Sequence, residues 1–366
     1  GAKRPEWNAG GAPITSFADE ANGSLWIGTM GAGLWRVPTD GGVATPVDRM
    51  TRNRAAIPGG EQVMALRHDS ANNLWVGTLT GGVTRLAPNG TLLTFRAGAD
   101  PARHLGADGI MSLYEDHSGR MWIGTFEGGV SIYDPQTATL TRLEDPSGAN
   151  PWLSSVRAAA IVEDLNGYVW IGTDGQGLLL VDPTSGLLRR YLEDAQSADS
   201  LSSNAIYDLL VDANGSLWIG TGGGGLDRLV GSSLKPAAVQ FRNLGTRDGL
   251  PNAVVYGIEQ DRSGNLWVSS NSGLSRLNPA NNEIKTFHTP HGAQGEEYNF
   301  GAHHQSRDGR LLFGGTDGYN DFDPRLLQLN ERQPGLILTN LAILNQDRLT
   351  GKSAHLPPMV ELGYRE

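Results

Sequence analysis

The chain has 366 residues, a formal net charge of −10 and no cysteine. An acidic chain lacks the cationic face that phosphate backbones need, so this composition argues against a nucleic-acid partner. The lack of cysteine excludes disulfides and cysteine-ligated metals. No apolar run in the sequence reaches the roughly 18 residues that a transmembrane helix requires.

One five-residue phrase returns at a nearly constant interval along the whole chain. Its first copy is Leu-Trp-Ile-Gly-Thr at residues 25–29, and successive copies lie 45 to 49 residues apart. The seventh copy, at residues 311–315, carries Leu312 in place of tryptophan. Repeats of this period with strand chemistry are typical of propeller blades. Six tryptophans are predicted to pack between neighbouring blades rather than to hold a cofactor: Trp26, Trp75, Trp122, Trp170, Trp218 and Trp267.

Each unit predicts four strands in a fixed order, as the fifth unit shows. An apolar strand at residues 205–211 leads into a turn at residues 212–215, where aspartate bonds the backbone and glycine supplies a positive φ. The repeat strand, a glycine-rich turn at residues 222–225, a third strand and a weaker fourth strand follow. Short strands separated by such turns form an antiparallel meander. We therefore predict an all-β fold, a seven-bladed β-propeller of four-stranded antiparallel blades.

The ends of the chain suggest how the ring closes. No clear fourth strand follows Asp323 and Pro324 in the seventh unit, whereas residues 4–8 precede the first unit, where an outermost strand would lie. We expect residues 3–8 to close blade 7 and so to cover an otherwise open edge.

The sequence offers no catalytic set. The eight histidines are scattered without an H-E-x-x-H motif, and the adjacent His303 and His304 would point to opposite sides of a strand. The glycines at residues 222–225 lack the Lys-Ser/Thr of a phosphate loop. No metal, no cofactor and no catalytic residue is predicted.

Meander topology separates two kinds of connection. We call the end of the ring with the glycine-rich turns and the inter-blade links face T, and the end with the Asp-x-x-Gly turns face B. Binding residues collect in loops on a rigid scaffold, so face T is the expected ligand side. Trp152 offers its ring to a sugar or caps the loop against its own blade. The candidate ligand-binding residues combine flat aromatics with forked donors: Arg54, Arg103, His104, Trp152, Tyr298 and Asn299.

The repeated pattern D-x-x-G-x-L-W-[IV]-G-T-x-x-G-G-[LV] resembles the two-component regulator propeller repeats of bacterial membrane-bound sensors. The links at residues 201–206 and 249–254 are similar to the blade connectors of that family, and residues 297–324 resemble its final blade. Residues 334–345 resemble the opening strand of the Ig-like Y_Y_Y domain that follows such propellers. The resemblance implies a propeller at residues 1–327 and, at residues 328–366, a linker with the truncated first strands of an Ig-like β-sandwich.

The resemblance also implies a function. A periplasmic, non-enzymatic ligand-sensing module is expected, the extracytoplasmic part of an inner-membrane protein whose sandwich and membrane helix lead to a histidine kinase or a diguanylate cyclase. The start at Gly1 without Met leads us to expect that a signal or anchor was removed. The expected ligand is a small molecule, with an oligosaccharide as the favoured class. Two alternatives stay open: a propeller enzyme, either a lyase or a glycosidase, and a protein-interaction platform that forms a homodimer.

Overall fold

The computed structural model describes residues 11–39, 44–47, 57–100, 104–145 and 147–327, and two short pairs at residues 342–343 and 346–347. The chain divides into two compact units, Gly1–Leu326 and Leu327–Glu366. In the second unit, β28 (Ala342–Ile343) pairs antiparallel with β29 (Gln346–Asp347). No helix in the described part of the chain is long and apolar enough to cross a membrane.

Seven antiparallel sheets make up the first unit. Blades 1 to 3 comprise β1 (Ile14–Asp19), β2 (Leu25–Thr29), β3 (Leu34–Val37) and β4 (Thr45–Pro46), then β5 (Val63–His68), β6 (Leu74–Thr78), β7 (Val83–Leu86) and β8 (Leu92–Phe95), then β9 (Ile110–Glu115), β10 (Met121–Thr125), β11 (Val130–Asp134) and β12 (Thr139–Arg142). Blades 4 and 5 comprise β13 (Ala158–Glu163), β14 (Val169–Thr173), β15 (Leu178–Asp182) and β16 (Gly186–Tyr191), then β17 (Ile206–Val211), β18 (Leu217–Thr221), β19 (Leu226–Val230) and β20 (Gln240–Leu244). Blades 6 and 7 comprise β21 (Gly257–Gln260), β22 (Leu266–Ser270), β23 (Gly273–Asn278) and β24 (Glu283–Phe287), then β25 (Tyr298–Gln305), β26 (Leu311–Gly315) and β27 (Gly318–Phe322).

The first strands of the blades form a closed inner ring. Each of them contacts the first strand of the next blade, from β1 with β5 through to β21 with β25, and β25 returns to β1. Within each blade the strands lie side by side in chain order. The prediction of a seven-bladed propeller is therefore confirmed. Blade 7 has three strands among the described residues. The predicted closing strand, residues 3–8, lies outside those residues and stays a prediction.

The second strand of a blade is buried on both faces because each face of the sheet packs against a neighbouring blade. In β10, β14 and β18 every residue is buried. Trp122 of blade 3 is fully buried and packs with Val169 and Ile171 of blade 4. Removing such an indole leaves a cavity worth about 3–5 kcal/mol. The repeated phrase thus supplies the hydrophobic core between successive sheets.

The first strands are irregular where they begin, at face T. The register of β1, β5, β13 and β17 with their second strands shifts by one residue near the start. A bulge of this kind leaves one residue unpaired and re-aims its side chain. In β17 the extra residue is Tyr207. These bulges place one side chain from each of several blades at the entrance to the centre of the ring.

Candidate ligand-binding face and channel

Face B is built from turns whose aspartates are committed to the fold. The Asp116 carboxylate accepts hydrogen bonds from the backbone N–H groups of Ser118 and Arg120, at 3.0 and 2.9 Å. Its other oxygen accepts the indole N–H of Trp122 at 2.9 Å. The same Asp-to-Trp bond recurs in four more blades, with lengths of 2.8 or 2.9 Å: Asp69–Trp75, Asp164–Trp170, Asp212–Trp218 and Asp261–Trp267.

Face T joins the glycine-rich turns to the links between blades. Thr125 donates its hydroxyl to the carbonyl of Gly129 at 2.8 Å and accepts the N–H of Gly128 at 2.8 Å. In blade 4 the N–H groups of Gly175 and Gly177 both donate to the carbonyl of Asn204, at 3.1 and 2.9 Å. Since Asn204 belongs to the link between blades 4 and 5, turns and links share one end of the ring, as the meander topology predicts.

Two of the candidate binding residues, Arg54 and Arg103, lie outside the described residues. His104 lies in the link between blades 2 and 3, with its Nδ1 3.2 Å from the carbonyl oxygen of Asp100. Trp152 lies on a short 3-10 helix, Pro151–Ser155, in the link between blades 3 and 4. The guanidinium of Arg190 covers the Trp152 ring at 4.4 Å from its centroid, and the ring also packs against the core between those blades.

The last two candidates lie at the start of β25 and point into the fold. Tyr298 is 2% exposed and donates its hydroxyl to Asn320 Oδ1 at 2.7 Å. Burial raises the pKa of its phenol, so Tyr298 is neutral at physiological pH. Asn299 donates its amide to the carbonyl of Ile14 at 2.8 Å, across the seam between blades 7 and 1. The structure therefore distributes His104, Trp152 and this pair over three separate parts of the ring.

A central channel runs between the first strands. Its cavity measures about 470 Å³. Residues from all seven blades line it, with Met64, Met111 and Tyr207 among those near face T and His304 and Arg307 among those near face B. A space of this size suits a ligand of one or two rings.

One ionic cluster ties three blades together on the wall of this channel. His303 of blade 7 places Nδ1 3.0 Å from Glu259 Oε1 of blade 6 and Nε2 3.3 Å from Asp208 Oδ2 of blade 5. Burial opposes the charged imidazole, but Asp208 and Glu259 outweigh it and raise the pKa of His303 to about 10. His303 is thus an imidazolium at neutral pH and bridges two carboxylates.

The two neighbouring histidines behave differently. His304 turns to the opposite side of β25, where its Nε2 lies 2.9 Å from Asp19 Oδ1 of blade 1. The expected divergence of His303 and His304 is confirmed. His68, also on the channel wall, is half-buried, and both of its ring nitrogens are buried without a hydrogen bond to a described residue. Burial lowers the pKa of His68, so it is neutral at physiological pH.

In the described part of the chain no cluster of three acidic or histidine residues is arranged to hold a metal ion.

Sequence reasoning missed an aromatic cluster at the face-T mouth of the channel. Tyr207 and Tyr256 stack with ring centroids 5.7 Å apart and planes inclined by 11°. Phe300 meets Tyr207 edge-on at 5.7 Å. All three rings are half-buried. They come from the starts of three different blades and share no motif, so only their equivalent position in the repeat could have identified them.

Polar groups surround this aromatic cluster. Asn271 donates its amide to the Tyr256 hydroxyl at 3.2 Å. Asp174 forms an ion pair with Arg157 at 2.8 Å, and its backbone bridges Ala205, two residues before Tyr207. Burial, together with the charge of Asp174 and the neighbouring Tyr256, raises the pKa of Tyr207. The mouth therefore offers a neutral phenol, an amide and a carboxylate beside exposed ring surface.

Comparison with known proteins supports the sequence resemblance at three repeats. The model of the family described as two component regulator propeller matches residues 104–127, 200–223 and 249–272. These segments hold the repeat strands of blades 3, 5 and 6, together with the turns and links beside them. Of residues 334–345, which resemble the Y_Y_Y domain, the structure describes only Ala342 and Ile343, so this resemblance stays a prediction. Among curated proteins, none matches the chain.

Several solved structures share the propeller fold. One is described as the extracellular domain of a hybrid two component system from B. thetaiotaomicron; it is 24% identical, with a TM-score of 0.71 over 86% of this chain and 39% of that one. A virginiamycin B lyase from Staphylococcus aureus, in complex with quinupristin, is 13% identical, with a TM-score of 0.62 over 85% and 94% of the two chains. PorZ of Porphyromonas gingivalis is 17% identical, with a TM-score of 0.63 over 84% and 46%.

The present chain spans about two fifths of the length of the first of these proteins. At these identities the structural matches establish the fold alone, whereas the repeat matches carry the family resemblance. The chain is thus a seven-bladed propeller in which three segments match the two component regulator propeller family.

Proposed function

We propose that this chain is the extracytoplasmic ligand-sensing module of a membrane-bound bacterial signal-transduction protein. The observation that carries the proposal is the match of three of its repeats to the two component regulator propeller family. The similarity of fold to the extracellular domain of a hybrid two component system supports the same role. In this proposal the module is periplasmic and non-enzymatic, and residues 328–366 begin the Ig-like domain that leads to the membrane and to a kinase or cyclase.

Face T is the proposed ligand side. The aspartates of face B bond the turns and indoles of their own blades, which leaves them little capacity for another partner. Face T instead carries the longer links and opens onto the central channel. Half-buried Trp152 and His104 lie in those links, and the sequence assigns Arg54 and Arg103, which lie outside the described residues, to links of the same kind. An oligosaccharide is the proposed ligand, because sugars present both apolar C–H faces and hydroxyl groups.

Calorimetry with a panel of oligosaccharides, two to six residues long and of gluco, manno, galacto and xylo type, tests this proposal. The parent chain should bind at least one member of the panel, and Trp152→Ala and Arg103→Ala should weaken that binding. Leu165→Ala is the matched control, because Leu165 is 76% exposed on a face-B turn. A ligand whose affinity falls only in the Leu165 variant would move the site to face B.

Location is tested separately in cells that express the full-length parent protein. Protease added to spheroplasts should cut the propeller while a cytoplasmic marker stays intact. A propeller that is protected until the inner membrane is opened would contradict the extracytoplasmic assignment.

A further inference from the structure

We propose that the face-T mouth of the central channel holds a single sugar ring, stacked on Tyr207 and bounded by Tyr256, Phe300, Asn271 and the Asp174–Arg157 pair. This inference rests on the proposed function and gives it a binding subsite. The subsite differs from the links, because its residues come from the inner strands and from the turns beside them.

The aromatic surface is the first argument. Stacking between Tyr207 and Tyr256 and the edge contact from Phe300 fix the orientation of the Tyr207 ring. Tyr207 also lines the channel, and Tyr256 and Phe300 contact its ring. A rigid, half-buried ring presents apolar area at little cost in conformational entropy, which is how proteins bind the C–H face of a sugar.

Glycine at position 222 is the second argument. A Cβ at Gly222 would lie 2.8 Å from Cζ of Tyr207, so the ring occupies the space that a side chain would take. The φ of Gly222 lies outside the left-handed region, so its backbone conformation does not call for glycine. The six other blades carry a side chain at the equivalent position: Met30, Leu79, Phe126, Asp174, Asn271 and Thr316. Blade 5 has glycine at this position, and the ring of Tyr207 from another strand takes the place of the missing side chain.

The polar rim is the third argument. Asn271, which reaches the Tyr256 hydroxyl at 3.2 Å, has a second amide hydrogen and a carbonyl oxygen for a ligand. The Asp174 carboxylate, 2.8 Å from Arg157, has further lone pairs that accept hydroxyl groups. Amide and carboxylate groups beside an aromatic face form the combination that recognises a hexose with its ring on the platform and its hydroxyls at the edge.

The experiment measures dissociation constants by saturation-transfer NMR. The probes are methyl glycosides of glucose, mannose and galactose and the matching disaccharides. Tyr207→Ala should weaken binding at least tenfold, whereas Tyr207→Phe, which keeps the ring, should stay within twofold of the parent. Gly222→Ala should weaken binding about as much as Tyr207→Ala, because its new methyl displaces the ring without removing any group that contacts the ligand.

Tyr168→Ala is the matched control. Tyr168 is a half-buried tyrosine that follows the face-B turn of blade 4, and its removal should leave sugar binding unchanged. Unfolding temperatures of all variants separate loss of the site from loss of the fold. A loss of affinity in Tyr168→Ala equal to that in Tyr207→Ala would show a general effect on the fold and overturn the subsite.

Failure of the subsite and failure of the sensing function give different results. If a sugar binds the parent and Tyr207→Ala equally, the mouth is the wrong place and the sensing proposal stands. Loss of that binding in Trp152→Ala would then assign it to the links. If no sugar binds the parent, the sugar assignment falls. The sensing function falls as well only if the full-length parent protein also signals identically with and without every extracellular compound supplied.

Discussion

Blades 3 and 1 build the same core with different polar contacts. In blade 3, Asp116 holds two backbone N–H groups of its own turn and the indole of Trp122. Blade 1 has Glu20 at the equivalent position, and its carboxylate pairs with Arg36 at 2.6 Å and accepts the side-chain amide of Asn22 in its own turn at 2.8 Å. The indole nitrogen of Trp26 is left buried without a partner among the described residues.

The difference teaches what the turn aspartate does. One methylene separates the two side chains, yet only the shorter one reaches its own turn and the indole together. Blade 1 replaces that internal clamp with an ion pair to its third strand, in which the two side chains remain 28% and 19% exposed. A partly exposed ion pair stabilises less than a buried charge-assisted network. We therefore expect blade 1 to be held less tightly than blade 3.

The largest expected contrast comes from removing the two acids. Asp116 is fully buried and pairs with Arg120 at 2.7 Å, so Asp116→Ala should lower the free energy of unfolding by about 3–5 kcal/mol. Glu20→Ala should lower it by about 1 kcal/mol or less, since its ion pair is partly exposed. Urea unfolding followed by tryptophan fluorescence measures both. Equal losses would show that the bonds from Asp116 to its turn and to the Trp122 indole add no stability beyond that of an exposed ion pair.

On the channel wall, the ion pairs of His303 with Asp208 and Glu259 give a second test of how much a buried charge stabilises the fold. Its pKa rises from 6.5 to about 10 on folding, so its contribution to stability is complete below pH 6.5 and is lost as the pH rises through 10. His303→Gln should cost about 3 kcal/mol at pH 6, within the range for breaking a buried pair. The stability curves of parent and variant, measured by urea unfolding, should converge by pH 10. Curves that stay parallel over this range would mean that His303 is neutral in the fold.

Replacing each indole by a phenyl ring isolates the hydrogen bond. Trp122→Phe and Trp26→Phe both lose similar apolar area, but only the first leaves a buried carboxylate without its N–H donor. Trp122→Phe should therefore cost about 1.5–3 kcal/mol more than Trp26→Phe. Chemical denaturation of both variants gives this difference directly. A difference of zero would mean that the tryptophan stabilises the blade through packing alone.

The smallest expected effect comes from a substitution that gives blade 1 the turn aspartate of blade 3. Glu20→Asp shortens the side chain to that of the other blades and should restore its bond to the Trp26 indole, while losing the pair with Arg36. A charged hydrogen bond stabilises the fold more than a partly exposed ion pair does, so the free energy of unfolding should rise by about 1 kcal/mol. The indole proton of Trp26 should shift downfield in NMR spectra. A destabilised variant with an unchanged indole signal would contradict this reading of blade 1.

Periodic features of the fold could be predicted because each recurs in several blades. The Leu-Trp-Ile-Gly-Thr phrase marks the buried second strand, and the Asp-x-x-Gly turn marks where that strand begins. The indole-to-aspartate bond itself was not predicted, although its constant spacing of six residues, as from Asp116 to Trp122, is visible in the sequence. Local patterns do not reveal which acid oxygen meets which donor.

The site was harder to predict because it arises where blades meet. Tyr207, Tyr256 and Phe300 share no local motif and come together only when the ring closes. The sequence predicts Tyr298 and Asn299 as ligand-binding residues of face T, but the structure begins β25 at Tyr298, which turns these polar groups toward Asn320 and Ile14. Their use inside the fold depends on partners in other strands, and one partner is 285 positions away along the chain.

The seam between β25 and β1 has a consequence for how the protein is made. Asp19 meets His304 and the backbone of Arg307, partners 285 and 288 positions further along the chain. Contacts of such long range form slowly, since the intervening loop must first be closed. On the ribosome, the side of β1 that packs against β25 therefore stays uncovered until the last blade has been synthesised. Nascent chains that stop short of residue 307 should be open arcs, and these are the species we expect chaperones and proteases to meet.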